Sequence, residues 1–388
     1  MRRLSTLLVV LVACSSQTTI PNTSNPPSTP PSTTTITTTA PTTAAPGFLS
    51  GGSEGWSLAV ADVYGPACGG DRAMVPAELS GLAVAETCPQ GGTATVAQVS
   101  GATLASAVIG EDHIFGADYG EGFSVVAARL PSLGQAAGWY GGTPKIVAVI
   151  GADARPGEEP AVTRADSIHL VGLNGQGAGG MVGIPRDSWV PIGGGSSNKI
   201  NAALSQGGPD VLMSTLTATS GLDIGGYVLT GFEGFQEMWG NILGGAEVDV
   251  PVPISDPASG ADFSSGRQYL NGPQALAFGR ARKSLPGGDL TRQFHGGVAL
   301  IGALQQVQAR GPLELPGLIA ASEPWMRTNI RWDDLLAFSA LAQATPTEAI
   351  GNVVAPARVG SVGAASVVFL TEAAAATFAD LADGAIAP

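Results

Sequence analysis

The chain has 388 residues, 44% of them hydrophobic and only 13% charged, and carries a formal net charge of −13. That is enough apolar material for one large core and a smaller one, while 55 glycines and 28 prolines describe a turn-rich protein rather than one of long helices. The acidic balance excludes bulk attraction to nucleic acid or to an acidic membrane surface.

Arg2 and Arg3 precede an apolar run at residues 4–12, too short to span a bilayer as a mature helix. It ends Leu11-Val12-Ala13-Cys14, which looks like a bacterial lipobox, in which the cysteine becomes the lipidated first residue. Residues 1–14 are therefore expected to be a lipoprotein signal peptide, with an ordinary signal peptide as the alternative. Several acyl chains on Cys14 would anchor the protein stably to the outer side of the cell membrane. An extracytoplasmic setting also permits a disulfide between Cys68 and Cys88, the other reading being two buried free thiols. Residues 15–46 are almost entirely Ser, Thr, Pro, Asn and Ala and read as a semi-extended tether. At about 3.1 Å per residue it reaches roughly 100 Å.

Residues 47–143 form a small Gly- and β-rich accessory segment. Apolar runs at 56–63 and 123–127 alternate with Gly and Pro turns, and 103–109 fits either a strand or a short helix. Residues 144–385 read as one α/β domain, a central mixed sheet covered by helices. Buried strands are expected at 145–151, 167–173 and 181–185. Helical patterns fall at 200–205, 209–217, 232–239, 273–281, 294–309, 332–345 and 372–381.

Two short patterns carry no chemistry. Gly175 to Gly180 matches G-x-G-x-x-G but leads into a strand, so no helix N-terminus receives a pyrophosphate, and a hairpin loop is expected. Gly51-Gly52-Ser53-Glu54-Gly55 matches G-x-S-x-G, but no strand is expected before it to make a nucleophile elbow. The three histidines, His113, His169 and His295, have no zinc spacing.

Four elements do suggest chemistry. Asp153 and Asp166 flank adjoining strand ends, where open α/β sheets bind ligands. Magnesium takes one or two carboxylates together with phosphate oxygens; loop or cap roles are the alternative. Arg186 follows the third strand, with Asp187 beside it to hold its guanidinium or to form a plain structural pair. Lys199-Ile200-Asn201 opens a helix that Gly207-Gly208 stops. Arg280 and Arg282 end a helix, and Asp289 and Arg292 follow a Pro-Gly-Gly loop. Five basic residues and a single acidic one lie between Ser264 and His295. Arginine forks in such a patch suit phosphate oxygens.

Taken together, these landmarks resemble the LytR-CpsA-Psr family over about residues 145–383. In order they are Gly151-Ala152-Asp153, Arg164-Ala165-Asp166-Ser167, Ile184-Pro185-Arg186-Asp187, Lys199-Ile200-Asn201, Gly207-Gly208, Tyr227, Gly244-Gly245 and Asp256. Leu270-Asn271-Gly272-Pro273, Phe278-Gly279-Arg280-Ala281-Arg282 and Gly288-Asp289-Leu290-Thr291-Arg292 complete the series. The resemblance implies a magnesium-dependent phosphotransferase that moves a glycopolymer from a polyprenyl-pyrophosphate-linked donor to a peptidoglycan sugar hydroxyl, with pyrophosphatase activity in vitro. By matching position, Asp153 and Asp166 would hold Mg2+, and Arg186, Arg280, Arg282 and Arg292 would grip the pyrophosphate. Arg186, Asp289 and Arg292 would be catalytic, Asp289 orienting an arginine or helping to deprotonate the hydroxyl. Partners would be that lipid-linked polymer, peptidoglycan and, through the lipid anchor, the membrane.

Departures from the family pattern accompany the resemblance. The family usually has arginine and glutamine where His295 and Gly296 stand, unless Arg292-Gln293 is itself that pair after a shortened loop. Gly183 replaces the usual serine, and the lipobox replaces a transmembrane helix. A catalytically weak protein that binds polyprenyl-pyrophosphate lipid, or an envelope regulator on the same fold, is the alternative reading.

Overall fold

The computed structural model describes residue 44 and residues 47–142, 145–283 and 285–388. The leader, Cys14 and the linker apart from Ala44 lie outside the described residues, as does the expected 143/144 boundary. No helix among the described residues is long and apolar enough to cross a membrane.

The accessory segment is a five-stranded sheet of β1 (Leu49–Gly51), β2 (Gly92–Val99), β3 (Ala102–Ile109), β4 (Asp112–Asp118) and β5 (Ser124–Arg129), in that order. The 103–109 run is thus a strand, its residues alternating between two buried faces. The 56–63 run forms helix α1 (Glu54–Tyr64), which Ser53 caps by accepting the Trp56 amide at 3.2 Å. A strand does precede Ser53, contrary to expectation, but its hydroxyl is engaged in capping rather than presented as a nucleophile. Cys68 and Cys88 form a disulfide, closing a loop that contains the single-turn α2 (Ala77–Ser80).

The second sheet is built on β6 (Ile146–Ala152), β7 (Ala165–Leu173) and β8 (Gly179–Gly183), an antiparallel trio in which the 174–178 loop is the expected hairpin. A small hairpin, β9 (Trp189–Pro191) and β10 (Ser197–Lys199), follows. β11 (Tyr227–Thr230) runs parallel to β6. Beyond it, β12 (Ala246–Val250) pairs with β15 (Gly266–Leu270), enclosing the β13 (Ile254–Asp256) and β14 (Ala261–Phe263) hairpin. β16 (Arg327–Thr328) and β17 (Ile350–Val354) are the sheet edges, giving the order β16-β11-β6-β7-β8-β17, and a hairpin of β18 (Ala357–Val362) and β19 (Ala365–Leu370) follows. The sheet is mixed, with helices on both faces, so the α/β reading holds.

Strand period decides what each face does. Ile146, Ala148, Ile150 and Ala152 of β6 join Ile168 and Leu170 of β7 in a core under α3 (Ala202–Ser220) and α9 (Glu372–Leu381). Val147, Val149 and Gly151 look the other way, toward α4 (Phe232–Gln236), α5 (Gly272–Arg280), α6 (Asp289–Arg310), α7 (Leu315–Ser322) and α8 (Trp332–Ala344). The two segments expected at 200–205 and 209–217 are one helix kinked at Gly207 and Gly208, so the glycine pair bends α3 instead of stopping it. Lys199 does not open that helix; it ends β10. α6 begins at Asp289, not at 294, because Gly287 and Gly288 take φ of 80° and 54° and turn the chain straight into its first turn.

The two sheets share a core. Val99, Leu104 and Phe115 of the first sheet pack with Val147 of the second and with Leu315, Ile319, Leu336 and Phe338 of α7 and α8.

Candidate functional site

A cavity of about 610 Å³ opens on the face of the second sheet beneath α4, α5 and α6. Its size is ordinary for a ligand pocket. Its interior is apolar, lined by Val149, Val228, Phe235, Met238, Leu276, Leu300 and Val307 among others. Arg292, Gly296, Ala299, Leu300, Ala303 and Val307 recur every three or four residues, so a single stripe of α6 forms one wall. Along that helix the groove runs about 22 Å from Arg292 to Val307. A π-helical turn, Glu237–Ile242, supplies Met238, Trp239 and Ile242 to another wall.

At one end the lining turns ionic. Asp153, Arg155, Asp166, Arg186, Arg280, Arg282, Lys283 and Arg292 all border it. A register irregularity brings Asp166 there. Gly151 pairs with Ser167 but Ala152 pairs with Ala165, leaving Asp166 as the extra residue of a bulge. Strict alternation would aim it away from Ser167 and His169; the bulge re-aims it into the mouth.

Asp166 is the hub. Its Oδ2 accepts a short hydrogen bond from Arg186 and lies 3.9 Å from Arg292 Nη1. Its main-chain oxygen accepts bonds from Arg292 at 2.9 Å and from Gln293 at 3.3 Å. Arg292 also reaches Asp289, one helical turn earlier, at 2.5 Å, and Arg186 Nε lies 3.5 Å from the same oxygen. Asp187 does not hold Arg186, as sequence adjacency suggests. It pairs with Lys199 at 2.9 Å; Arg186 and Asp187 both sit at the centre of the turn that the Ser188 amide closes on the Pro185 carbonyl.

Burial and charge act against each other here. Burial opposes the charge on Arg186, but Asp166 and Asp289 outweigh it and strengthen its hold on the proton. Arg292, more deeply buried, has its pKa lowered by desolvation in spite of Asp289. Burial raises the Asp289 carboxyl above the usual range, only partly countered by Arg292 and Arg186. Its Oδ2 is buried without a hydrogen-bond partner among the described residues.

Arg280 and Arg282 come from a different element. Arg280 ends α5 with its guanidinium 4.6 Å over the Phe232 ring. Arg282 lies beyond that helix, not on its last turn. Buried Asp256 sets this corner, accepting the Arg282 and Lys283 amides on Oδ2 at 2.8 Å each and the Ala258 amide on Oδ1. Asp256 appeared in the sequence only as a landmark; the structure gives it this anchoring task. Lys283, one of the five basic residues of the patch, also borders the mouth, as do Arg155 and Phe232, which were not singled out because an isolated cation or ring carries no sequence signal.

His295 does not line the cavity. Its ring stacks on Phe278 at 5.0 Å, buried, and burial lowers its pKa to about 4. His169 does line it, its Nε2–H donating to the Gln293 carbonyl at 2.8 Å. Gly183 and Gly296 leave room for this packing. A Cβ at Gly183 would meet Gln293 Cβ at 3.1 Å, and one at Gly296 would meet His169 Cε1 at 2.5 Å.

Comparison with known proteins fits this geometry. The LytR_cpsA_psr family model matches residues 139–381, more than half of the chain. A polyisoprenyl-teichoic acid–peptidoglycan teichoic acid transferase, TagU of Bacillus cereus, is 33% identical over 195 residues, covering 50% of this chain and 62% of its own length. The corresponding TagV of Bacillus subtilis is 39% identical over 139 residues, 33% of this chain and 35% of TagV. The chain thus spans under two thirds of the length of either relative. The crystal structure of Bacillus subtilis TagV superposes with a TM-score of 0.53 at 26% identity, covering 62% of this chain and 99% of that one.

Proposed function

This chain belongs to the LytR_cpsA_psr family, and from that premise we propose that it transfers a glycopolymer from a polyprenyl-pyrophosphate-linked donor to a sugar hydroxyl of peptidoglycan. One observation carries the reading: an apolar groove that ends in a cluster of arginines around Asp166. The groove suits a prenyl chain, and the cationic end suits the diphosphate where that chain stops.

In the proposed reaction the acceptor hydroxyl oxygen attacks the phosphorus bonded to the glycopolymer. The bond from that phosphorus to the bridging oxygen breaks, and prenyl monophosphate leaves with the electron pair. Arg280, Arg282 and Arg292 bind the diphosphate, and Arg186 faces the charge that develops on it; phosphoryl transfer needs chiefly positioning and neutralisation of this kind. Asp289, its carboxyl raised by burial and unpaired at Oδ2, is placed to orient Arg186 and Arg292 or to take the hydroxyl proton.

The residues present fit a magnesium ion. Asp153 is exposed, its amide donating to the Arg164 carbonyl while its carboxylate has no hydrogen-bond or ion-pair partner among the described residues, and both ion pairs of Asp166 run to Oδ2, leaving Oδ1 open. Asp153 and Asp166 would hold Mg2+, with the remaining positions left to water and phosphate oxygens. Bound there, the ion would neutralise diphosphate charge. On the leader reading, a lipid on Cys14 anchors the protein at the extracytoplasmic face of the membrane, near its donor.

The alternative, lipid binding without transfer, drew on His295 as a lost site arginine. The stacking of His295 on Phe278, outside the cavity lining, weakens that motive, and the shared bonds of Arg292 and Gln293 to Asp166 favour these two as the working pair. The test is to incubate the full chain with a prenyl pyrophosphate and magnesium and to measure phosphate release. Release that vanishes in Arg186→Ala and Asp166→Ala supports transferase chemistry. Binding without release supports the alternative.

A further inference from the structure

The first sheet has no motif of its own, yet it is built into the groove. Its residues Val99, Leu104 and Phe115 share one core with Leu315 and Ile319 of α7. Three groove-lining residues, Val228, Met238 and Val307, pack against this same core. α7 in turn gives Leu318 and Ser322 to the groove lining and packs on the π-helical turn Glu237–Ile242. The helix therefore has the first sheet on one side and the groove on the other. Val307 is the lining residue of α6 farthest from Arg292, so this wall stands at the end remote from the ionic mouth.

Polar tethers hold the arrangement from the sheet side. Thr95 Oγ1 donates to the Leu313 carbonyl at 2.6 Å, just before α7, and the Ser100 amide donates to Glu323 at 2.9 Å, just after it. Trp332 Nε1 donates to the Ser100 carbonyl at 3.0 Å. Both ends of α7 are thus tied to β2 and to the turn that follows it.

We propose that the first sheet sets the depth of the groove: by fixing α7 it forms the far stop against which the distal part of the prenyl chain packs, and so selects for chain length. This rests on the prenyl-pyrophosphate reading above. A ligand too short to reach Leu318 feels only the mouth and the near walls. A longer one gains contact with the far wall only while α7 is held in place.

The test compares ten-carbon, twenty-carbon and fifty-five-carbon prenyl pyrophosphates binding to the full chain. Thr95→Val removes one tether, and Leu104→Ala loosens the shared core from the sheet side; neither residue lines the groove. The expected result is unchanged affinity for the ten-carbon ligand, with a loss of about tenfold for the two longer ones. Leu318→Trp, which fills the far end directly, should abolish the gain from ten to twenty carbons, and it keeps the test informative if Leu104→Ala fails to fold. Equal losses at every length, or none, overturn the proposal. Failure of the wild-type chain to bind any of the three overturns the prenyl reading itself.

Discussion

Gly296 and His169 fit each other: the imidazole occupies the space a side chain at 296 would need, 2.5 Å from where its Cβ would lie. A glutamine at 296 is therefore incompatible with the packing around His169.

Gly296→Gln should destabilise the protein by about 1–3 kcal/mol through overpacking. His169→Ala in the same chain should restore much of that loss. Denaturant titration of the two variants and the double variant measures the coupling, and additive effects would sink the account.

His295→Arg, which places an arginine at the position that the lipid-binding alternative turns on, should not raise turnover. It would put a guanidinium against Phe278 in a buried site with an unpartnered Nδ1, so stability should fall by about 2–5 kcal/mol. A gain in kcat without loss of stability would show that the side chain reaches the mouth.

Asp256→Asn keeps the shape but weakens the acceptor of two amides at the Arg282 corner. It should cost about 1–3 kcal/mol of stability. Because Asp256 acts through Arg282, KM for the diphosphate should rise more than kcat falls, and Asp256→Glu should recover little because its longer reach misplaces the corner. A kcat loss with unchanged KM would assign Asp256 a direct role instead.

Acid should weaken the fold between about pH 6.5 and 4. Burial lowers both His169 and His295 to a pKa of about 4, so the unfolded chain binds protons in this range that the native one does not. Their contribution is fully present above about 6.5 and is lost as pH falls through 4, up to about 3 kcal/mol for each. His295→Phe should flatten the decline in thermal midpoint across this window. An unchanged slope would remove His295 as a cause.

Reduction of the Cys68–Cys88 disulfide should cost about 3 kcal/mol, the entropy of closing its 20-residue separation. The loss should register first as amide exchange in the first sheet and α1, with the mouth protected until global unfolding.

The parts of the fold legible in the sequence were those fixed by local pattern. The strand beginning at Ile146 is apolar on both faces and reads directly, as does the period of α9. α7 did not, because Pro316 and Gly317 lie within its eight residues and Pro312 and Pro324 flank them. The site was read as a set of residues but not as a set of pairs. Asp166 reaches Arg186 through a bulge that no periodicity announces, and Asp187 turned out to serve Lys199. The union of the first sheet with α7 was invisible because Thr95 and Leu313 meet across 218 positions of chain.

One helix carries both Arg292 at its opening turn and Val307 near its close. Continuous from Asp289 to Arg310, α6 acts as a ruler: the interval between Arg292 and the deep end of the groove cannot stretch. Arg280 and Arg282 stand on a separate corner and take no part in that interval. On the proposed reading α6 would set the distance from diphosphate to deep end, while α7 closes that end.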